Sequence, residues 1–307
     1  MERNGNRTMK HEAERLSPLH NVVFACIFRD ERKSGVAMLE FLNAILEHVK
    51  EEPVVEIISM NSEYPMIGES SYEKYGRLDV RVKAESGRLF DIEVQIKKDY
   101  MNERGFFYGG RLGMNELESG VSYDRMPQVM VINIVDFYVR DDHDNVVEPV
   151  VLCYKNNPGE LATDRFKMYH IQLPAFRREH KTLDSVKGNA FFTWLYMLDK
   201  GYKEADEMET LAKMTEGLEN FARQYNYAID DPDLIWHYWS IEDGKRDVAT
   251  QISVAVTKAA KKARTDGIEE GKAEKNYENA KGFKEKGVDP KIIMEVTGLS
   301  LDEIAKL

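Results

Sequence analysis

The chain has 307 residues, enough for one large domain or two modest ones with a real core. Acidic residues number 54 and basic ones 43, and the net charge of −11 argues against broad affinity for phosphate backbones, though not against a local basic face. No apolar run is long enough to span a membrane, the first residues lead into charge, and Cys26 and Cys153 lack paired spacing.

These features predict a soluble cytoplasmic protein with no disulfide framework, its two cysteines serving as small buried hydrophobes. Residues 1–15 are polar and are expected to be mobile. Ser17-Pro18 pairs a capping residue with a proline suited to the first helical position, and Val23, Phe24, Ile27 and Phe28 supply an apolar stripe. A second helix is expected over about 35–48, burying Val36, Leu39, Leu42, Ile45 and Leu46. A short strand at 54–59 follows, then a loop through Pro65 and Gly68.

Residues 76–98 alternate apolar and polar side chains on both sides of Glu85-Ser86-Gly87, the pattern of two half-buried strands around a three-residue turn. The turn pairs Ala84 with Arg88. Leu78 then falls opposite Val94, Val80 opposite Ile92 and Val82 opposite Phe90. On the other face Arg77 meets Gln95, Asp79 meets Glu93 and Arg81 meets Asp91. A slip of one residue would scramble both faces. Opposed like charges destabilise a strand pair, so Asp79 and Glu93 need an offset. Their diagonal neighbours Arg77 and Arg81 could supply it; so could a bound divalent cation, which suits converging carboxylates, a carbonyl and waters.

Residues 100–119 read as a helix despite four glycines, with Gly105 and Gly109 forming a flat stripe for close packing on a sheet. No phosphate-loop spacing is present. Residues 128–137 are nearly continuous apolar, as in a strand covered on both faces, and strands at 146–154 and 166–173 flank a turn at Asn156-Asn157-Pro158-Gly159. A mixed α/β sheet follows from this alternation. From Asn189 the pattern is helical, and Trp236-His237-Tyr238-Trp239 reads as core in preference to a base-stacking platform. A solvated helical arm is expected over 259–280, interrupted near Gly267 and Gly271. Asp289-Pro290 and the Ser300/Glu303 capping box delimit a helix-turn-helix-like tail. Ten basic against ten acidic residues over 261–307 favour an interaction or dimerisation module there over DNA reading. Histidine spacing gives no zinc site, and no Gly-x-Ser-x-Gly elbow is present.

Asp79 followed by Glu93-Val94-Gln95 on the next strand resembles the PD-(D/E)XK nuclease superfamily. More specifically it is similar to the recombination-promoting nuclease / putative transposase branch, where Gln stands in the place of the final Lys. The Phe-Ala-Cys-Ile-Phe and Phe-Leu-Asn-Ala-Ile-Leu segments, the Gly-Arg-Leu-Asp-Val strand, Tyr100 and Arg104, and Val-Met-Val-Ile-Asn-Ile-Val-Asp-Phe are similar too. The likeness covers the chain from about Leu16 onward. It implies a restriction-endonuclease-like mixed sheet flanked by helices over 16–188, a helical extension over 189–245, and a helical arm and tail over 246–307.

The same resemblance implies a Mg²⁺- or Mn²⁺-dependent DNA endonuclease. Asp79, Glu93 and the Val94 carbonyl would hold the metal, Gln95 would order a water or phosphate, and Arg104 and Lys97 would contact DNA. A homodimer is compatible with it, and no membrane is involved. The chain departs from the pattern on the first helix, where Asn21 replaces an acidic residue and Ala25 a basic one. An amide can orient a water but supplies no charge, so the alternative is a non-cutting member of the fold that binds DNA or protein.

Overall fold

The hairpin forms in the expected register. Strands β2 (Val80–Ala84) and β3 (Leu89–Gln95) pair antiparallel, with Val80 opposite Ile92, Arg81 opposite Asp91 and Val82 opposite Phe90. Ala84 N donates to Arg88 O at 2.9 Å, and Gly87 closes the turn at φ +81°, a conformation costly for any residue with a Cβ. The computed structural model describes residues 15–28, 30–62, 80–95, 98, 100–117, 119–142 and 144–307, the side chains of 61, 62 and 269 excepted. The start expected to be mobile, the loop expected through Pro65 and Gly68, and the expected pairings of Arg77, Leu78 and Asp79 therefore fall wholly or largely outside the described residues.

Six strands form one mixed sheet, in which β1 (Ile57–Ser62), β2, β3, β4 (Val129–Val135), β8 (Phe166–Gln172) and β5 (Val147–Val151) lie side by side in that order. β1 starts later than the expected 54–59 because Asn43 brackets Val54, donating to its carbonyl at 2.8 Å and accepting from its N–H at 2.7 Å. The centre is parallel: β4 lies between β3 and β8, and all seven β4 residues are buried. Such burial on both faces explains the nearly continuous apolar run in its sequence. β5 closes the sheet antiparallel to β8. The chain then leaves the sheet. β6 (Cys153–Tyr154) and β7 (Asn157–Leu161) make a separate two-stranded hairpin, its turn at Lys155-Asn156, not at Asn156–Gly159. Cys153, expected inside, is exposed there, and Cys26 is half-buried.

Helices cover both faces. α1 (Asn21–Ile27) begins three residues beyond Pro18, because Ser17 instead forms a turn in which its carbonyl accepts from His20 N. α2 (Glu31–His48) starts before Gly35, since the Asp30 side chain accepts from Arg32 N. Ala37, Met38 and Phe41 face inward, whereas Val36, expected inside, is 45% exposed. Phe24, Phe28 and Phe41 pack with Trp194 of α5 (Ala190–Tyr196) and Phe221 of α7 (Glu216–Ile229). α4 (Leu173–Glu179) follows β8 directly, and a π-helical turn at Met197–Gly201 and α6 (Ala205–Ala212) lead from α5 to α7. This mixed six-stranded sheet with flanking helices and a helical C-terminal region is the restriction-endonuclease-like architecture that the resemblance implies.

α3 (Met101–Asn115) lies on the other face, and its glycines decide how closely. Gly105, Gly109 and Gly113 are buried against β4 and β8. A Cβ on Gly109 would stand 2.6 Å from Val131 Cγ2 and from the Phe166 ring.

The chain divides into two units, Met1–Tyr238 and Trp239–Leu307. α8 (Pro232–Glu285) is continuous through Gly267 and Gly271, where an interruption was expected. Each exposed glycine costs a helix only about 1 kcal/mol, and the Ala, Lys and Glu around them are strong helix formers. Trp236 is not core either: it is 63% exposed, while Tyr238 packs against His20. In the second unit α9 (Pro290–Thr297) and α10 (Leu301–Lys306) bury Ile293 and Ile304 against Ala280. Asp289 caps α9, and the Ser300/Glu303 box forms. No helix among the described residues is long and apolar enough to cross a membrane.

The glycine stripe gives a paired prediction. Gly109→Ala should destabilise by about 1–3 kcal/mol through overpacking against Val131 and Phe166. Gly110→Ala, whose Cβ meets nothing within 4 Å, should stabilise by about 0.5–1 kcal/mol. Urea melts of the two variants decide; equal effects would contradict close packing of α3.

Candidate functional site

One face of the parallel strands, the one beneath α3, carries an unusual row of polar residues. Register aligns Glu93 on β3 with Asn133 on β4, then His170 on β8, then Glu148 on β5. All four are buried, Asn133 completely. Side chains opposed in adjacent strands stand about 4.8 Å apart at the backbone, so each member of the row faces the next.

Glu93 is 8% exposed and its Oε1 accepts from Arg104 Nη2 at 2.5 Å. α3 delivers that guanidinium. Tyr100 turns the chain with a left-handed φ of +36°, Arg104 follows one turn into the helix, and the glycine stripe lets the helix close on the sheet. Asn133 Nδ2 lies 3.3 Å from His170 Nδ1, and His170 Nε2 lies 2.9 Å from Asn102 Oδ1. Burial pushes His170 down to about 4, against an opposing pull from Glu148. The ring is therefore neutral, with Nε2–H donating to Asn102 and Nδ1 accepting from Asn133.

At the C-terminal ends of β3 and β4 lies a small cavity of about 110 Å³, reached by Val94 and Gln95 from one side and by Ser17 and Lys203 from the other. Asp136 N donates to Gln95 O at 3.1 Å. Arg177 bridges this end, donating through Nη1 to Asp136 and through Nη2 to Asp199 at 2.5 Å. Its hydrogen bonds to Asp199, with those to Asp136, hold the guanidinium charged well above its ordinary range. The bridge ties the end of β4 to the π-helical turn.

The structure brings Glu93, Gln95 and Arg104 to one face of β3, with Val94 buried on the other. Asp79 and Lys97 lie outside the described residues. Arg104 turns inward to Glu93. Asn21 starts α1 with its Oδ1 accepting from Val22 N at 2.9 Å, and Ala25 is fully buried. Sequence reading missed Asn133, His170 and the Asp136–Arg177–Asp199 bridge. Asn133 carried a signal: it is the one polar residue in the seven of β4.

The donor set fits a hard cation. Glu93 supplies a buried carboxylate, and Asn133 Oδ1 is a buried oxygen with no hydrogen-bond partner among the described residues. Oxygen ligands of this kind suit Mg²⁺ or Mn²⁺, not zinc. Among the described residues no group of three or more His, Cys, Asp or Glu gathers, so a second carboxylate has to come from elsewhere in the chain.

A family model described as PD-(D/E)XK nuclease family transposase matches residues 18–255, which include the whole sheet and most of the helices. No curated protein and no solved structure matches the chain.

The neutral His170 has a thermodynamic signature. Its folded value of about 4 lies below the ordinary 6.5, so the unfolded chain binds the extra proton between those values. Stability should fall as pH drops from 6.5 towards 4, by on the order of 3 kcal/mol from this group. His170→Asn should flatten that part of the pH–stability curve. An unchanged slope, or a His170 ring that titrates near 6.5 by NMR, would contradict the assignment.

Proposed function

We propose that this chain, which belongs to the PD-(D/E)XK nuclease family transposases, hydrolyses DNA phosphodiesters at the Glu93 end of the β2–β3 hairpin with Mg²⁺ or Mn²⁺ bound there. Membership implies nuclease-type chemistry, with DNA as substrate. The observation that carries the finer reading is the hairpin register. Val80 faces Ile92 and Arg81 faces Asp91, and one more step outward in the same register would bring Asp79 to Glu93.

Asp79 and Glu93 would hold the cation, with the Val94 carbonyl beside them. The bound cation would lower the pKa of a water and neutralise charge on the phosphoryl oxygens. The chain's own residues do the rest. Gln95, one strand period beyond Glu93 and half-buried at the cavity, donates and accepts hydrogen bonds and can hold a water or a phosphate oxygen. It is no base, so proton removal falls to hydroxide or solvent. Arg104 offsets the Glu93 carboxylate, and on release its planar fork matches a backbone phosphate. Lys97, two residues past Gln95, would extend the DNA path. The reaction serves DNA recombination of the transposase-related type.

One observation favours a second reading, a family member that binds without cutting. α1 contributes no acid: Asn21 spends its amide oxygen on its own helix start, and Ala25 is buried.

A nicking assay on supercoiled plasmid separates the two. Cleavage should require Mg²⁺ or Mn²⁺, and fall on the order of 100-fold in Asp79→Ala and in Glu93→Ala, a typical size for loss of one charge-stabilising group. Gln95→Ala should lose less. Cleavage that survives both carboxylate substitutions would overturn the site; none with any metal would favour the binding module.

Arg104 gives an independent check. In EDTA, Arg104→Ala should lower stability by about 2 kcal/mol, because the buried Glu93 loses a charged partner. Mg²⁺ should restore the variant more than it stabilises the wild type, since a cation takes over the role of the guanidinium. Equal Mg²⁺ shifts in thermal melts would count against a cation at Glu93.

A further inference from the structure

We infer that Asn133 presents its amide oxygen to the cation bound at Glu93, with His170 fixing the orientation of that amide. The inference rests on the cation site proposed above and adds a residue to it.

Asn133 sits at the centre of β4 among Val129, Met130, Val131, Ile132, Ile134 and Val135, and has no solvent exposure. An amide is an expensive occupant of such a position, because each buried polar atom left without a partner forfeits its hydration. Half of the amide is satisfied: Nδ2 lies 3.3 Å from His170 Nδ1. The other half is not, since Oδ1 has no hydrogen-bond partner among the described residues. A valine or leucine would fill the strand without that cost.

Direction follows from the order of the strands. β8 lies on one side of β4 and β3 on the other, with His170 and Glu93 the two residues in register with Asn133. The two arms of a planar amide diverge, so an amide that gives its N–H to the β8 side turns its oxygen away from that side, towards the β3 side where Glu93 stands.

His170 enforces the orientation. Its Nε2 is engaged by Asn102 Oδ1 at 2.9 Å, which requires the proton on Nε2 and leaves Nδ1 as an acceptor. Only the NH₂ arm of Asn133 can satisfy an acceptor. The histidine thus acts as a positioning residue, holding the oxygen outward in the manner of an outer-shell partner.

An oxygen without a proton, next to a carboxylate and shielded from solvent, suits a hard divalent cation, which takes amide carbonyls alongside carboxylates. It also adds a ligand without adding charge. A third carboxylate in the row would increase the repulsion that Arg104 already offsets at Glu93.

Mn²⁺ binding to the full chain tests this, followed by electron paramagnetic resonance of the unbound ion, with thermal melts in EDTA alongside. The variants are Asn133→Leu, Asn133→Asp and Glu93→Gln. Asn133→Leu should melt at or above wild type in EDTA yet bind Mn²⁺ about tenfold more weakly, the usual scale for losing one support of a metal site. Asn133→Asp keeps an oxygen and loses the N–H donor, so it should bind Mn²⁺ at least as tightly as wild type. Wild-type affinity in a folded Asn133→Leu overturns the inference. So does Asn133→Asp binding more weakly than wild type, because the amide would then matter only as a donor to His170; this comparison decides even if the leucine variant fails to fold. Glu93→Gln should weaken binding strongly. If it does while both Asn133 variants bind as wild type, the cation site stands and the role of Asn133 falls; if Glu93→Gln binds as wild type, the site itself falls.

Discussion

The buried carboxylate of Glu93 is the constraint from which the rest of the site follows. A carboxylate sealed inside a sheet is tolerated only with a charged or strongly donating partner. Here α3 supplies one, placing Arg104 Nη2 2.5 Å from Oε1. That contact demands a helix lying close on the sheet, and the closeness demands Gly105, Gly109 and Gly113 along the contacting face. The helix that looked weakened by its glycines is instead shaped by them.

The centre of the sheet is parallel and fully covered, yet one of its faces carries buried polar residues. Glu93, Asn133, His170 and Glu148 come from four strands and share one register line. On the same face Leu89, Val129 and Met168 form an apolar cluster, while Asp91 and Gln172 add further buried polar groups. Water is excluded, which strengthens each electrostatic contact inside the row and raises the cost of any polar atom left over. A second anchor holds the strand ends: Arg177 joins Asp136, just past β4, to Asp199 in the π-helical turn, so the edge of the sheet where Gln95 sits is fixed from both sides.

Much of this was legible in the sequence because it is local. Period-2 alternation and Gly87 set the hairpin register, which the described pairs reproduce. The glycine spacing announced a helix pressed on a sheet, and the apolar run of β4 announced burial on both faces. What was not legible depends on strand order. Asn133 and His170 are 37 residues apart in the chain, and only the parallel pairing of β4 with β8 makes them neighbours. Arg104 could be placed on a helix, but its inward turn depends on how deeply that helix packs. Local capping chemistry misled in a different way: Ser17-Pro18 forms a turn before α1, and the two glycines in α8 do not interrupt it. Single residues of that kind shift a boundary by about 1 kcal/mol, which neighbouring helix formers readily outweigh.

The proposed hydrolysis requires two acidic side chains, Asp79 and Glu93, to share one divalent ion. A crystal of the full chain soaked in Mn²⁺, with data collected for anomalous scattering, addresses it directly. A single manganese peak should appear with carboxylate oxygens of both Asp79 and Glu93 at about 2.1 Å, and with Arg104 withdrawn from Glu93. A peak elsewhere, or a Glu93 still bound to Arg104 with no manganese beside it, would contradict the account.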